Sequence, residues 1–184
     1  MSYPISEQHP IRELFHSLVE RAFRRDLAME DPQLTEYLAN ILVDFAHRDR
    51  IFRIKNSRGQ CVEQVAEMLV EGDVLLNATS FEREREVHKH IGDFTLFWTG
   101  IYPEMLRYFR AAHRADGLLD YVERGQKSYR IAATFDYGAY RDEAPVLRRL
   151  ADGFERCMFG LSLVRRDMES LGDPGYDSAR RLLG

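Results

Sequence analysis

The sequence has few cysteines and no long hydrophobic run, and both deficits narrow the class of protein. Cys61 and Cys157 are the two cysteines among 184 residues, far apart and in no metal-ligand spacing. This argues against a disulfide-stabilised secreted domain and favours a reducing compartment. The longest nearly apolar run covers residues 94–102, far short of the roughly 20 residues that span a bilayer. We therefore expect no membrane span.

An excess of charge of either sign is also lacking. The formal net charge is −4, with 45% hydrophobic and 30% charged residues, a composition typical of a folded globular protein. So small a charge gives no general attraction to nucleic acid or anionic lipid. The first residues lack the basic and then apolar pattern of a secretory signal. A cytoplasmic location is therefore the expectation.

Apolar residues recur at helical spacing along most of the chain, which predicts an all-α fold. We expect one domain, residues 1–184, formed by a single-domain bundle of six to eight helices. The helical pattern breaks near residues 51–60, where we expect at most one short strand or hairpin. The predicted helices cover residues 10–25, 32–45, 62–72, 81–100, a segment that opens at Pro103, 118–137 and 143–171.

The last predicted helix carries a regular apolar seam. Its members alternate spacings of three and four residues, a repeat typical of shallow helix packing or of a coiled coil. They are Leu147, Leu150, Phe154, Cys157, Leu161, Val164, Met168 and Leu171. The seam predicts either a homodimer interface or the core of an ordinary bundle. Gly153 and Gly160 beside it, and Gly125 in the preceding helix, favour close helix packing, with a ligand in the gap as the alternative.

One helix face carries the strongest candidate site. At about 100° per residue, His90 lies within the apolar arc of the 81–100 helix, and Asp93 and Glu86 flank it within side-chain reach. Burial and a neighbouring carboxylate shift a histidine pKa in opposite directions, which can produce a poised acid or base. Arg83 continues this stripe one turn earlier, whereas His88 is rotated away from His90. The alternative is a structural histidine that fixes helix packing, and a metal at His90 would need a ligand from another helix.

A second group of candidates lies on the next long helix, at Tyr121, Lys127 and Tyr129. The two tyrosines share a broad face, and a tyrosine with a lysine can donate hydrogen bonds to an anionic ligand. The alternative is that both tyrosines lie on a half-buried helix, with the ring buried and the hydroxyl exposed to solvent. We treat these three residues, together with Arg83, as candidate ligand-binding residues.

Two further patterns are less specific. Glu13-x-x-His16 and Asp44-x-x-His47 have the spacing of bundle metal sites, but their phase places them on the polar side or flank of their helices. Ligands of a metal in the bundle core cannot point at water. The basic segment 48–58 has the charge to contact nucleic-acid phosphates, but no helix-turn-helix, zinc-finger or phosphate-loop motif accompanies it. Nucleic-acid binding is therefore not expected.

Three segments carry a family resemblance. They are His88-x-His90-Ile-Gly-Asp-Phe-Thr-Leu-Phe-Trp within residues 84–104, Gly125-x-Lys127-Ser-Tyr129, and Phe154-Glu-x-Cys157-x-x-Gly160-Leu. Together they resemble a family of small bacterial all-helical proteins for which we know no function, and the similarity extends over most of the chain. The resemblance implies a bacterial cytosolic protein and no activity, so no catalytic role is carried over.

Two functional hypotheses follow from these patterns. The first is a non-enzymatic interaction or ligand-binding protein, with a homodimer as one form of it, because the seam is regular and a specific catalytic motif is lacking. The second is an acid/base enzyme, or a metal- or haem-dependent protein, centred on His90, Asp93 and Glu86. The sequence does not identify the ligand, the cofactor or the partner.

Overall fold

The computed structural model describes residues 10–73, 75–104, 106 and 118–170, and this part of the chain is all-α, as expected. Its contacts divide it into two compact units. One comprises the described residues up to Ile51 together with those from Phe159 onward, and the other runs from Phe52 to Met158. The extent of a single domain over residues 1–184 stays a prediction.

The described residues form eight α-helices, which agrees with the six to eight expected. The first of them continues directly into a π-helical turn, Arg21–Asp26. The helices are α1 (Pro10–Glu20), α2 (Pro32–Phe45), α3 (Arg48–Ile51), α4 (Val65–Gly72), α5 (Phe81–Ile101), α6 (Leu118–Ala132), α7 (Ala144–Asp152) and α8 (Phe154–Ser170).

Side-chain caps determine where two of the long helices begin. The Asp31 carboxylate accepts a hydrogen bond from the Leu34 N–H at 3.1 Å, and Pro32 occupies the first turn of α2. The Ser80 hydroxyl accepts one from the Arg83 N–H, also at 3.1 Å, at the start of α5. Both caps satisfy amide groups that have no partner within the first helical turn. Both predicted helix starts are confirmed.

The segment at residues 51–60 forms no regular strand. Lys55 and Cys61 make one isolated antiparallel bridge around a turn. The Asn56 carboxamide oxygen stabilises this turn by accepting a hydrogen bond from the Gln60 N–H at 3.0 Å. So short a pairing agrees with the expectation of at most one short strand or hairpin.

The central helix of the second unit is α5, in which every residue from His90 onward is buried. The sequence predicts a central 81–100 helix with the 143–171 segment packed against it. In the structure the principal neighbours of α5 are α6 and α4, whereas α7 packs against α6. The physical reason is the absence of a side chain at Gly92 of α5 and Gly125 of α6, which lets these two helices approach closely. Helix α6 runs antiparallel to α5, since His88 meets Ser128 and Phe94 meets Tyr121.

Two of the predicted helices end elsewhere than expected. The 143–171 helix is interrupted at Gly153, which ends α7, and glycine is a weak helix former. The 118–137 helix ends at Ala132. Most of the helix predicted to open at Pro103 lies outside the described residues.

The apolar seam supplies interior packing despite the interruption. Its described members, from Leu147 to Met168, are all buried, whereas Leu171 lies outside the described residues. Within the first unit, the ring of Phe23 lies so close to Gly160 that a Cβ there would overlap it. Close packing therefore explains this glycine. The homodimer stays a prediction. The seam does not support it, because the described seam residues are already buried within the chain.

Candidate functional site

A cleft of about 660 Å³ opens in the second unit where α4, α5 and α6 meet. His88 of α5 and Ser128 of α6 line its inner part and are 6% and 1% exposed. His88 Nδ1 and Ser128 Oγ are 3.3 Å apart, within hydrogen-bonding distance. Three carboxylates, two basic side chains and three aliphatic side chains complete the lining. The cleft thus has a buried polar base and a chemically mixed rim.

His88 is uncharged at neutral pH. Burial of the imidazole, reinforced by the Lys127 ammonium and opposed by Asp73, lowers its pKa from 6.5 to about 4. A neutral imidazole offers one N–H donor and one acceptor nitrogen. Because Nδ1 pairs with Ser128, Nε2 is the ring atom left for a further hydrogen bond. A group of this kind contributes hydrogen bonding to the cleft without adding charge.

His88 was not among the candidate residues, yet it lies at the cleft. Its rotation away from His90 was deduced correctly, but α5 is covered on more than one side. Gly72 at the end of α4 lies beside the His88 ring, 3.7 Å from its Cδ2 atom to the position that a Cβ would take. The sequence feature that indicated such covering is the run of α5 residues after Asp93, which is apolar on nearly all sides. A helix that is apolar all round has neighbours on every side.

His90, Asp93 and Glu86 do not form one open site. His90 is fully buried, as its helical phase indicates, and its ring centroid lies 6.0 Å from that of Phe94. Glu86 faces solvent, with its side chain 53% exposed, and pairs with Arg83 at 3.3 Å. Glu86 therefore does not share the buried environment of His90.

Asp93 links α5 to α6 through a buried hydrogen bond. Its Oδ1 atom accepts from the Tyr129 hydroxyl at 2.9 Å, and its Oδ2 atom accepts from Lys89 Nζ at 3.0 Å. Lys89 also lies 3.7 Å from Glu143, which precedes α7 and pairs with the buried Arg85. This group of charges is internally compensated, so its evident role is to fix the positions of these helices.

The four candidate ligand-binding residues lie in different environments. Tyr121 and Tyr129 are buried. The hydroxyl of Tyr129 donates a hydrogen bond to Asp93, which excludes the alternative that this hydroxyl faces solvent. Arg83 donates a hydrogen bond to the Lys55 carbonyl at 3.2 Å, in addition to its pairing with Glu86. Of the four, Lys127 lines the cleft. The space beside Gly125, where a ligand was the alternative to close packing, is occupied by the side chains of Thr95 and Phe154.

No group of three or more His, Cys, Asp or Glu side chains in the described part of the chain is arranged to hold a metal ion. Glu13 and Asp44, the carboxylates of the two Glu/Asp-x-x-His pairs, are exposed, as their helical phase indicates. Over the same described ranges, no helix is both long and apolar enough to cross a membrane.

A second cleft, of about 500 Å³, lies in the first unit. Its lining is dominated by surface charges that already have partners: Arg24 lies 3.6 Å from Glu20 and 3.9 Å from Glu30. The Asp31 carboxylate is engaged as the cap of α2. This cleft lacks the buried polar pair that distinguishes the one at His88.

Comparisons with protein-family models, with curated proteins and with solved structures found no match to this chain. The resemblance to a family of bacterial helical proteins therefore stays a prediction. The geometry of the site is the basis for a functional proposal.

Proposed function

We propose that this protein binds a small molecule in the His88 cleft and acts as a non-enzymatic ligand-binding protein. The observation that carries the proposal is the buried His88–Ser128 pair at the base of a cleft of about 660 Å³. Small-molecule sites typically measure about 300–1,000 Å³ and combine apolar walls with a few placed polar groups. The cleft meets both criteria.

The protonation state of His88 favours binding over acid/base catalysis. A histidine with a pKa of about 4 is a weak base, and an efficient general base has a pKa near the working pH. His88 is therefore poorly suited to activate Ser128 as a nucleophile. The uncharged pair instead offers hydrogen bonds of fixed position, which select a ligand by the placement of its polar atoms.

The test is a nuclear magnetic resonance screen of the ¹⁵N-labelled full chain against a mixed library of acidic, basic, zwitterionic and neutral small molecules at millimolar concentration. We expect hits to shift amide resonances of α4, α5 and α6 around the cleft. Ser128→Ala should weaken those hits, because it removes half of the buried pair.

Ser162→Ala is the matched control, because Ser162 lies on α8 and bonds the Phe159 carbonyl. It should leave the hits unchanged. Hits whose shifts map away from the cleft, or that bind Ser128→Ala as tightly as the wild type, would contradict the proposal.

A further inference from the structure

Three charged side chains at the rim of the cleft are of both signs and form no ion pair with one another. Lys127 and Glu123 extend from α6, and Glu84 extends from α5. Within the described residues, none of these three side chains makes an ion pair. An ammonium and two carboxylates therefore face the same cleft and are available to a ligand.

The antiparallel packing of α5 and α6 separates these charges along the cleft. His88 pairs with Ser128, so Glu84 lies one helical turn to one side of that pair and Glu123 lies more than one turn to the other side. At a rise of about 1.5 Å per residue, each carboxylate is about 6–8 Å along the helix axis from the pair. Lys127 precedes Ser128 directly, and its positive charge influences the pKa of His88. Among these three side chains the positive charge is thus central and the two negative charges are terminal. The Asp73 carboxylate, which accepts a hydrogen bond from the Leu75 N–H, and the partnered Arg124 guanidinium also line the cleft.

An aliphatic surface lies in the same cleft. Leu69, Leu75 and Ile131 contribute to its lining, and Leu75 is 88% exposed. A ligand with an aliphatic portion gains free energy by covering such a side chain, at about 25 cal/mol for each Å² of apolar surface removed from water. The ligand is therefore expected to be amphipathic as well as charged.

We infer that the cleft takes a small zwitterion with an aliphatic side chain, such as an aliphatic amino acid. This inference rests on the proposed ligand-binding function. The ligand carboxylate pairs with the Lys127 ammonium near Ser128, and its ammonium group pairs with a terminal carboxylate, Glu84 or Glu123. The aliphatic side chain lies against Leu75. Such a ligand matches the charges of both signs without adding net charge.

The test compares three probes that share one branched aliphatic tail. L-leucine carries both charges, isocaproate carries the carboxylate alone, and isoamylamine carries the amine alone. In isothermal titration at constant ionic strength, we expect leucine to bind about tenfold or more tightly than either single-charge probe.

Variants that remove a charge from the cleft test which side chains bind the carboxylate and the ammonium group of the ligand. Lys127→Gln should weaken leucine and isocaproate by about tenfold and should not weaken isoamylamine. The double variant Glu84→Gln/Glu123→Gln should weaken leucine and isoamylamine and should not weaken isocaproate. Glu82→Gln, at an exposed position of the first turn of α5, is the matched control and should change none of the three.

Each contrary outcome has a distinct meaning. If isocaproate binds as tightly as leucine, the amine is not recognised and the zwitterion inference is overturned, while the ligand-binding proposal stands. The same holds if library compounds occupy the cleft but none of the three probes binds. If no library compound shifts resonances around the cleft and none of the three probes binds, both the inference and the proposed function are overturned.

Discussion

Acidification should destabilise the protein partly through His88. Its pKa is lowered from 6.5 to about 4 in the folded chain, so the unfolded chain takes up a proton at a higher pH than the folded chain does. The free energy of unfolding therefore falls as the pH falls through this interval. A pKa difference of about 2.5 corresponds to about 3.5 kcal/mol in full, at about 1.4 kcal/mol for each unit. The contribution of His88 to the free energy of unfolding is fully present above its pKa in the unfolded chain. It is lost below its pKa in the folded chain.

The assay is urea unfolding of the wild type and of His88→Asn between neutral pH and about pH 4. An asparagine at this position can still hydrogen-bond Ser128 but does not titrate, and all other groups are shared by the two proteins. We expect the wild type to lose about 3 kcal/mol more than His88→Asn over this range. If both free energies fall in parallel, the buried neutral histidine is not the cause and the reasoning is refuted.

Two charge variants test the origin of the shift. Lys127→Met removes a positive charge that disfavours protonation, so it should raise the pKa of His88. Asp73→Asn removes the opposing negative charge, so it should lower the pKa further, and an asparagine can still accept the hydrogen bond that Asp73 takes from the Leu75 N–H at 2.8 Å. The imidazole proton resonances report both pKa values directly. Shifts of the same sign in the two variants would contradict the assignment of causes.

Three further predictions concern stability and are checked by denaturant unfolding at neutral pH. Gly92→Ala should cost about 2 kcal/mol, because a Cβ there would lie 2.5 Å from the Tyr129 ring and overpacking outweighs the gain of about 1 kcal/mol in helix propensity; a stabilised variant would contradict this. Tyr129→Phe should cost about 1–3 kcal/mol, because the buried Asp93 loses its donor, and an unchanged midpoint would show that the bond is dispensable. Asp31→Ala should cost about 1 kcal/mol through the lost α2 cap, whereas Asp31→Asn, which keeps an acceptor oxygen, should cost less.

Helix starts could be predicted from the sequence because their causes are local. Asp31 and Ser80 each bond an amide only three residues further along the chain. Both partners of each hydrogen bond can therefore be identified from a short stretch of sequence. The interruption at Gly153 is also local in cause, but the unbroken apolar spacing across it concealed the break. Periodicity reports which face is buried and not whether the backbone is continuous.

The partner of each buried polar group could not be predicted in this way. Helical phase gives a side chain's direction relative to its own helix, but not which residue of another helix it meets. Asp93 was expected to flank His90, and the hydrogen bond across the helix pair is made by Tyr129, 36 residues further along the chain. That choice depends on Gly92, which admits the Tyr129 ring beside the carboxylate.

The contrast between Asp93 and His88 shows why burial alone does not identify a site. Both are polar residues on α5 with partners on α6, and both are almost fully buried. The Asp93 oxygens are each matched by a donor from the protein, so this group is complete without a ligand and serves packing. At His88, one ring nitrogen is engaged by Ser128, the ring lines a cleft, and Lys127 stands nearby without an ion-pair partner in the described part of the chain. A buried polar group that is satisfied on one side and faces a cleft on the other has hydrogen-bonding capacity that a ligand can complete, and this asymmetry favours His88 over Asp93 as the functional position.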